Sequence, residues 1–281
     1  MAQTALQEAR DAVDQATTRA QVVVRPVTET DELVAMEALL AAVWEHPPGS
    51  VELDITLLAA LARSGNYVAG AFRADELVGA TAGFRCEPFP VTLHSHVTGV
   101  DRQRAATGTG TALKAYQRLW CLERGITGVR WTFDALQSRN ARLNMGHLGA
   151  DWVSFHVDYY GELRDGLNRG TGSDRLLLQW DLTRTAADRA DKTQQPEPAQ
   201  TLLARGPAGE PVLGTRPTTY SRLEIPTDID GLRASDPELA QRWRDTLREV
   251  LPGLIADGWR VVDFDEDGAY VIAPPHEQEP R

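Results

Sequence analysis

The spacing of apolar residues changes period several times along the chain, and each change marks an element. In the leader "MAQTALQEARDAVDQATTRA", Leu6, Ala9, Val13 and Ala16 recur at helical spacing with little apolar bulk, which predicts a peripheral helix over residues 1–19. "QVVVRPVT" follows as a β-branched strand. "ETDELVAMEALLAAVWEHPPGS" opens on acidic residues and stops at Pro-Pro, as a helix does, and "VELDITLLAALARSGN" reads as a second helix. The period then drops to two. "YVAGAFRADELVGATAGFRC" is two strands hinged on Ala74-Asp75-Glu76, and "VTLHSHVTGV" is a third extended run. A loop and helix follow, then a strand in "GVRWTFDA", a short helix in "SRNARLNMGHLGA", and strands in "DWVSFHVDYYG" and "RLLLQWDL". This order predicts an α/β domain over residues 20–182, with a mixed, mostly antiparallel sheet of about seven strands flanked by helices.

After Leu182 the composition shifts to Thr, Ala, Asp, Gln and Pro, so residues 183–215 read as a linker or surface excursion. Residues 216–281 hold "SRLEIP", a helix in "DPELAQRWRDTLREVLPGLIADG" capped by Asp236 and stopped at Gly258, and a terminal strand pair. Leu239, Trp243, Leu247, Val250, Leu251 and Leu254 form one stripe of that helix. A unit this small is expected to pack on the first domain, and its tryptophans to cover either that domain or the partner in a homodimer.

Charge narrows the classes of function. A formal charge of −11 and a pI near 5.1 oppose any electrostatic grip on nucleic acid or anionic membrane, so any bound anion must be caught by local geometry. Cys86 and Cys121 are the only cysteines, too few for a disulfide framework, and no run of about 18 apolar residues or secretory leader is seen. A cytoplasmic protein is the expectation. The six histidines lack paired metal-ligand spacing, so no metal is expected.

One stretch carries candidate chemistry. "DRQRAATGTGTALKAYQRLW" opens a helix with Gly108 and Gly110 one residue apart. A helix N-terminus presents unpaired N–H groups and the positive end of the helix dipole, so it accepts phosphate without net positive charge. The glycines permit close approach, Thr107, Thr109 and Thr111 offer hydroxyls, and Arg104 lies just upstream. A tight strand-to-helix turn uses the same glycines, and the spacing alone leaves both readings open.

With the order of elements, these residues resemble the Gcn5-related N-acetyltransferase (GNAT) superfamily, whose Q/R-x-x-G-x-G/A loop takes the pyrophosphate of acyl-coenzyme A. "TGVDRQRAATGTGTALK" is similar to that loop, and "SRNARLNMGHLGA" to the family's second motif. "LHSHVTGV", "YYGELRDGLNRGTGSDR" and the tail helix resemble a subgroup of predicted acetyltransferases with a C-terminal extension. The resemblance implies direct transfer of an acetyl or succinyl group from acyl-CoA to a small amine, such as an amino acid. It implies cofactor contacts at Thr98, Val100, Arg104, Thr107 to Thr111 and Asn140. Two departures stand out: Ala105 and Ala106 replace the loop's Q/R and first glycine, and Met145 replaces the tyrosine that protonates the leaving thiolate.

Acyl transfer to an amine needs a proton acceptor, an N–H donor for the oxyanion and a departing thiolate. Alternation along β-structure puts His94, His96 and Thr98 on one face. His96 is then the candidate base, because imidazole titrates near neutrality, and His94 a substrate contact. Tyr159 and Tyr160 are candidate replacement acids. Asp134 could orient an amine or cap the next helix. Arg139 or Arg175 could grip a substrate carboxylate, and Asp165 and Asn168 belong to a loop dense in donors and acceptors. Packing or surface roles remain open for each. So do two other functions, decarboxylation or hydrolysis of an acyl-CoA, and non-catalytic ligand binding.

Overall fold

The computed structural model describes residues 2–101, 103–161, 172–185, 187–188 and 197–275. Its elements are α1 (Ala2–Ala20), β1 (Val23–Pro26), α2 (Thr30–Val43), α3 (Ile55–Arg63), β2 (Tyr67–Arg73), β3 (Glu76–Cys86), β4 (Thr92–Val100), α4 (Thr109–Leu122) and β5 (Gly128–Phe133). Next come α5 (Ser138–Ala141), running into a π-helical turn at Arg142–His147, then β6 (Asp151–His156) and β7 (Arg175–Asp181). The seven strands form one sheet in the order β1-β2-β3-β4-β5-β7-β6, antiparallel at β1-β2, β2-β3, β3-β4 and β6-β7 and parallel at β4-β5. That is the mixed, mostly antiparallel sheet expected from the apolar periods. A second sheet, in the order β11-β12-β10-β8-β9, contains β8 (Gln200–Arg205), β9 (Pro211–Leu213), β10 (Ser221–Glu224), β11 (Arg260–Phe264) and β12 (Ala269–Ala273). Two helices accompany it, α6 (Ile229–Ser235) and α7 (Pro237–Ala256).

Residues 183–215, read as linker or surface excursion, thus hold β8 and β9 in their second half. The apolar pair Leu202-Leu203 is buried there, and the run Leu202 to Ala204 is too short to register as a period.

Contacts divide the chain into two compact units, with the division falling inside β5. Within the described residues, one holds 2–131 and 181–188, and the other 132–161, 172–180 and 197–275.

In the first unit the sheet is covered on both faces. Leu33, Met36 and Leu40 of α2 and Leu58 of α3 pack with Val68, Ala80, Ala82 and Val97 on one face. Val22, Val24, Ala71 and Val78 meet Ala112 and Leu113 of α4 on the other, where α1 also lies against α4. Burial on both sides explains why β2 and β3 read as near-continuous apolar runs rather than strict alternation. Small residues set the spacing: a Cβ on Gly99 would stand 2.7 Å from the Trp44 ring and 3.0 Å from Leu40. Helix α3 starts later than its sequence suggests, because the Asp54 carboxylate accepts from Thr56 N and Leu57 N and caps it there. Residues 44–54 are consequently loop.

In the second unit, α7 buries the predicted stripe from Leu239 to Leu254. Asp236 caps it by accepting from Leu239 N, and Gly258 follows its end at a φ of +86°.

Candidate functional site

In the first unit, β4 is the strand that organises the candidate chemistry. It pairs with β3 along its whole length but with β5 only from Thr92 to His94. Beyond His94 the two strands share no ladder, so alternate backbone groups of β4 face the side that β5 has left.

The β3–β4 register also slips there. Ala82 opposes Val97 while Gly83 opposes Ser95, which leaves His96 as the extra residue of a bulge. The bulge changes which side chains share a face. His94 and His96 stay together, flanking the Phe84 ring at centroid distances of 5.0 and 5.9 Å. Thr98 does not join them. Its hydroxyl lies 2.9 Å from that of Thr81, and the residues flanking Thr81, Ala80 and Ala82, pack toward α2, so Thr81 and Thr98 face the other way. Strict alternation, which put His94, His96 and Thr98 on one face, fails by the one inserted residue.

Helix α4 begins where β4 ends. Gly108 is its N-cap at a φ of +99°, a conformation that favours glycine. Thr109 N and Thr109 Oγ1 both donate to Ala106 O, so that hydroxyl is spent inside the loop. Among the described residues no acceptor is recorded for the amides of Gly110 and Thr111. Gly110 is not required by packing: a Cβ there would find only Val100 Cγ2, at 4.0 Å. The missing side chain leaves a cradle beside the end of β4 at the two free amides. Thr107 is exposed and Val100 and Thr111 half-buried around it. Arg104 is already engaged, by Asp101 at 2.5 Å and Glu76 at 2.7 Å, so an anion would have to compete for it.

The loop between α2 and α3 brings a group that sequence reading missed. Glu52 Oε1 lies 3.8 Å from His96 Nε2, and Glu52 Oε2 lies 3.4 Å from His46 Nε2. The His46 ring is buried with Ser50 Oγ 3.4 Å from its Nδ1, and its Nε2 makes no hydrogen bond among the described residues. Glu52 sits in a loop with no periodic signal, and only the fold carries it to β4. No three His, Cys, Asp or Glu side chains among the described residues are arranged to hold a metal.

On the opposite face, Lys114 of α4 is buried. Its ammonium donates to Ser95 Oγ and Gln117 Oε1, each at 3.0 Å, and lies 4.5 Å from the Trp131 ring centre. Burial without a carboxylate partner brings its pKa down to about 7. Burial, helped by His96 and Lys114, takes His94 down to about 4, so His94 is neutral at working pH.

The remaining candidates belong to the second unit. Asp134 is buried, with Arg233 at 2.5 Å and Arg244 at 2.7 Å on Oδ2, while Oδ1 accepts from Leu136 N. Burial pushes its carboxyl up, but the two guanidiniums outweigh this and hold it at about 2. Arg175 is buried, donates to Asp174 O and lies 5.5 Å from the Tyr160 ring centre. Tyr160 shares a 2.9 Å hydrogen bond with Thr132 Oγ1 and stacks edge-on with Tyr159. Arg139 and Asn140 are exposed, and Met145 is buried in the π-helical turn. Asp165 and Asn168 lie outside the described residues.

No protein-family model matches the chain, and no curated protein does. Solved structures do. An N-acetyltransferase from Staphylococcus aureus Mu50 is 16% identical, with a TM-score of 0.47 over 58% of this chain and 99% of that one. The ribosomal-protein-S18-alanine N-acetyltransferase from Escherichia coli is 12% identical, at 0.45 over 59% and 96%. The structure of yncA from Salmonella typhimurium with its cofactor acetyl-CoA is 16% identical, also at 0.45 over 59% and 96%. At such scores the case for any chemistry rests on this chain's own geometry. No helix among the described residues is long and apolar enough to cross a membrane.

Proposed function

We propose that the chain is an acyl-CoA-dependent N-acyltransferase that moves an acetyl or succinyl group directly to a small amine. One juxtaposition carries this reading: β4 parts from β5 after His94, and the far end of the freed stretch meets the N-terminus of α4 at the cradle left by Gly110. The acyl-CoA thioester supplies the activated acyl group and a thiol that leaves readily, its pKa being about 8.5.

This chain's residues have separate tasks in that scheme. The Gly110 and Thr111 amides, at the positive end of α4, bind the pyrophosphate. The unpaired edge of β4 from Ser95 to Val100 offers N–H and C=O groups to the amides of the pantetheine arm. His96, re-aimed by its bulge and next to the Glu52 carboxylate, accepts the proton of the attacking amine. Glu52 stabilises the imidazolium that results. The thiol departs unassisted, which its low pKa permits.

Calorimetric titration with coenzyme A, acetyl-CoA and succinyl-CoA tests the proposal, using wild type and Gly110→Trp. A Cβ at 110 meets nothing closer than 4.0 Å, so the variant is expected to fold and to lose binding. Retained affinity in a folded Gly110→Trp protein would refute the cradle, and no affinity in wild type would refute the acyltransferase.

A further inference from the structure

We infer that the amine acceptor is a cationic primary amine with no carboxylate beside the amine, and that Glu52 is the residue that selects it. The inference rests on the acyltransferase reading for its chemistry, but the site is visible without it. Glu52, 29% exposed, points one oxygen at His96, 25% exposed, so both can be reached from solvent. Its other oxygen lies 3.4 Å from Nε2 of the buried His46 ring, a nitrogen that makes no hydrogen bond among the described residues. Phe84, 37% exposed, lies along the two imidazoles of β4, and those rings are 6.0 Å apart. A carboxylate beside the His96 ring, which in turn lies against Phe84, suits an ammonium, which gains from the charge and from the ring quadrupoles together.

The charges around this corner favour a cation as well. Lys114 is buried on the opposite face of β4. Arg130, the ladder neighbour of His94, is drawn away toward Glu87 O at 3.4 Å. Arg85 has its backbone N–H tied to Asn66 and alternates to the other face from Phe84. A carboxylate on the acceptor next to its amine would therefore meet Glu52 with none of these three cations turned toward it to offset the repulsion. The net charge of −11 adds a long-range bias of the same sign.

Phenethylamine and phenylalanine differ by that one carboxylate and make the test. Each is titrated by calorimetry into wild type and Glu52→Gln, with and without saturating coenzyme A. Phenethylamine is expected to bind at least about tenfold more tightly than phenylalanine, and Glu52→Gln to weaken it by about tenfold while narrowing the gap. Equal binding of the two amines, no binding of either, or indifference of phenethylamine to Glu52→Gln overturns the inference. Failure of coenzyme A to bind instead strikes the acyltransferase reading, and the titration without it still reports on Glu52. Thiol release from acetyl-CoA should follow the same order, with Glu52→Gln raising KM through lost recognition and lowering kcat because the His96 imidazolium loses its carboxylate.

Discussion

Replacing Lys114 with methionine should flatten the pH dependence of stability in a window the structure defines. The ammonium is enclosed by Ser95, Gln117 and the Trp131 ring, and among the described residues no carboxylate hydrogen-bonds to it. Burial lowers its pKa from the usual 10.5 to about 7. The folded protein therefore releases the proton near pH 7, whereas the unfolded chain keeps it until about 10.5. Below pH 7 both states hold the proton and the cost of burying the charge is constant. Between the two values the unfolded state binds more protons, so stability rises with pH, by about 1.4 kcal/mol per unit. Above 10.5 the effect levels off. From pH 7.5 to 9.5 the wild type should gain about 3 kcal/mol relative to Lys114→Met, which has nothing to titrate. Urea unfolding of both proteins at the two pH values measures this, and subtraction removes groups common to both. Cys121, its thiol pushed up to about 12 by burial, titrates in the window only in the unfolded chain and does so in both proteins, and His94, at about 4, titrates below it. Methionine leaves Gln117 Oε1 without its donor, so the offset at one pH mixes several effects. The slope does not. A difference between the two proteins that stays constant from pH 7.5 to 9.5 would show that Lys114 remains charged in the fold, and the account of its burial would be wrong.

Two further outcomes follow from packing and charge. Asp134→Ala takes from Arg244, whose side chain is 2% exposed, its carboxylate at 2.7 Å and leaves it only Asp174 at 3.7 Å, and should cost about 3–5 kcal/mol in urea unfolding. In wild type the same aspartate, held at about 2, contributes stability that is complete above its ordinary pKa and disappears as pH falls through 2; that share, about 2 kcal/mol, should be missing from the acid unfolding of the variant. Gly99→Leu forces a Cβ to 2.7 Å from Trp44 and should destabilise by about 1–3 kcal/mol; an unchanged melting temperature would mean that α2 shifts freely on β4.

The elements of the first sheet were legible because their apolar periods are dictated by burial. Leu33, Met36 and Leu40 recur on α2 because one face of the sheet lies under them, and the stripe on α7 from Leu239 to Leu254 is read the same way. The left-handed cap at Gly108 and the open packing at Gly110 were legible in kind from the two glycines, since both are glycine's work. Two features of the site were not. A bulge adds one residue without altering composition, so "HSHVTG" looks like plain alternation while Thr98 turns to the face opposite His96. Asp134 read as a ligand to substrate or a helix cap, and its partners Arg233 and Arg244 lie about a hundred positions away, where no local pattern can pair them.

Glu52 shows why the acidic member of the site escaped notice and why it matters. In "EHPPGSVELD" it looks like one more acid in a proline-broken loop, and a chain with 40 acidic residues offers many such loops. What distinguishes it is who faces it: a buried imidazole with a spare nitrogen on one side and the bulged His96 on the other. An isolated carboxylate on a surface loop is mobile and well hydrated, and holds a cation weakly. One set between His46 and His96 loses less freedom on binding, which is how a single charge gains selectivity. The same contact would serve proton transfer, because an ammonium held between Glu52 and His96 is next to the group that must take its proton. Recognition and deprotonation of the amine would then depend on one loop, residues 44–54, rather than on a second charged patch elsewhere in the fold.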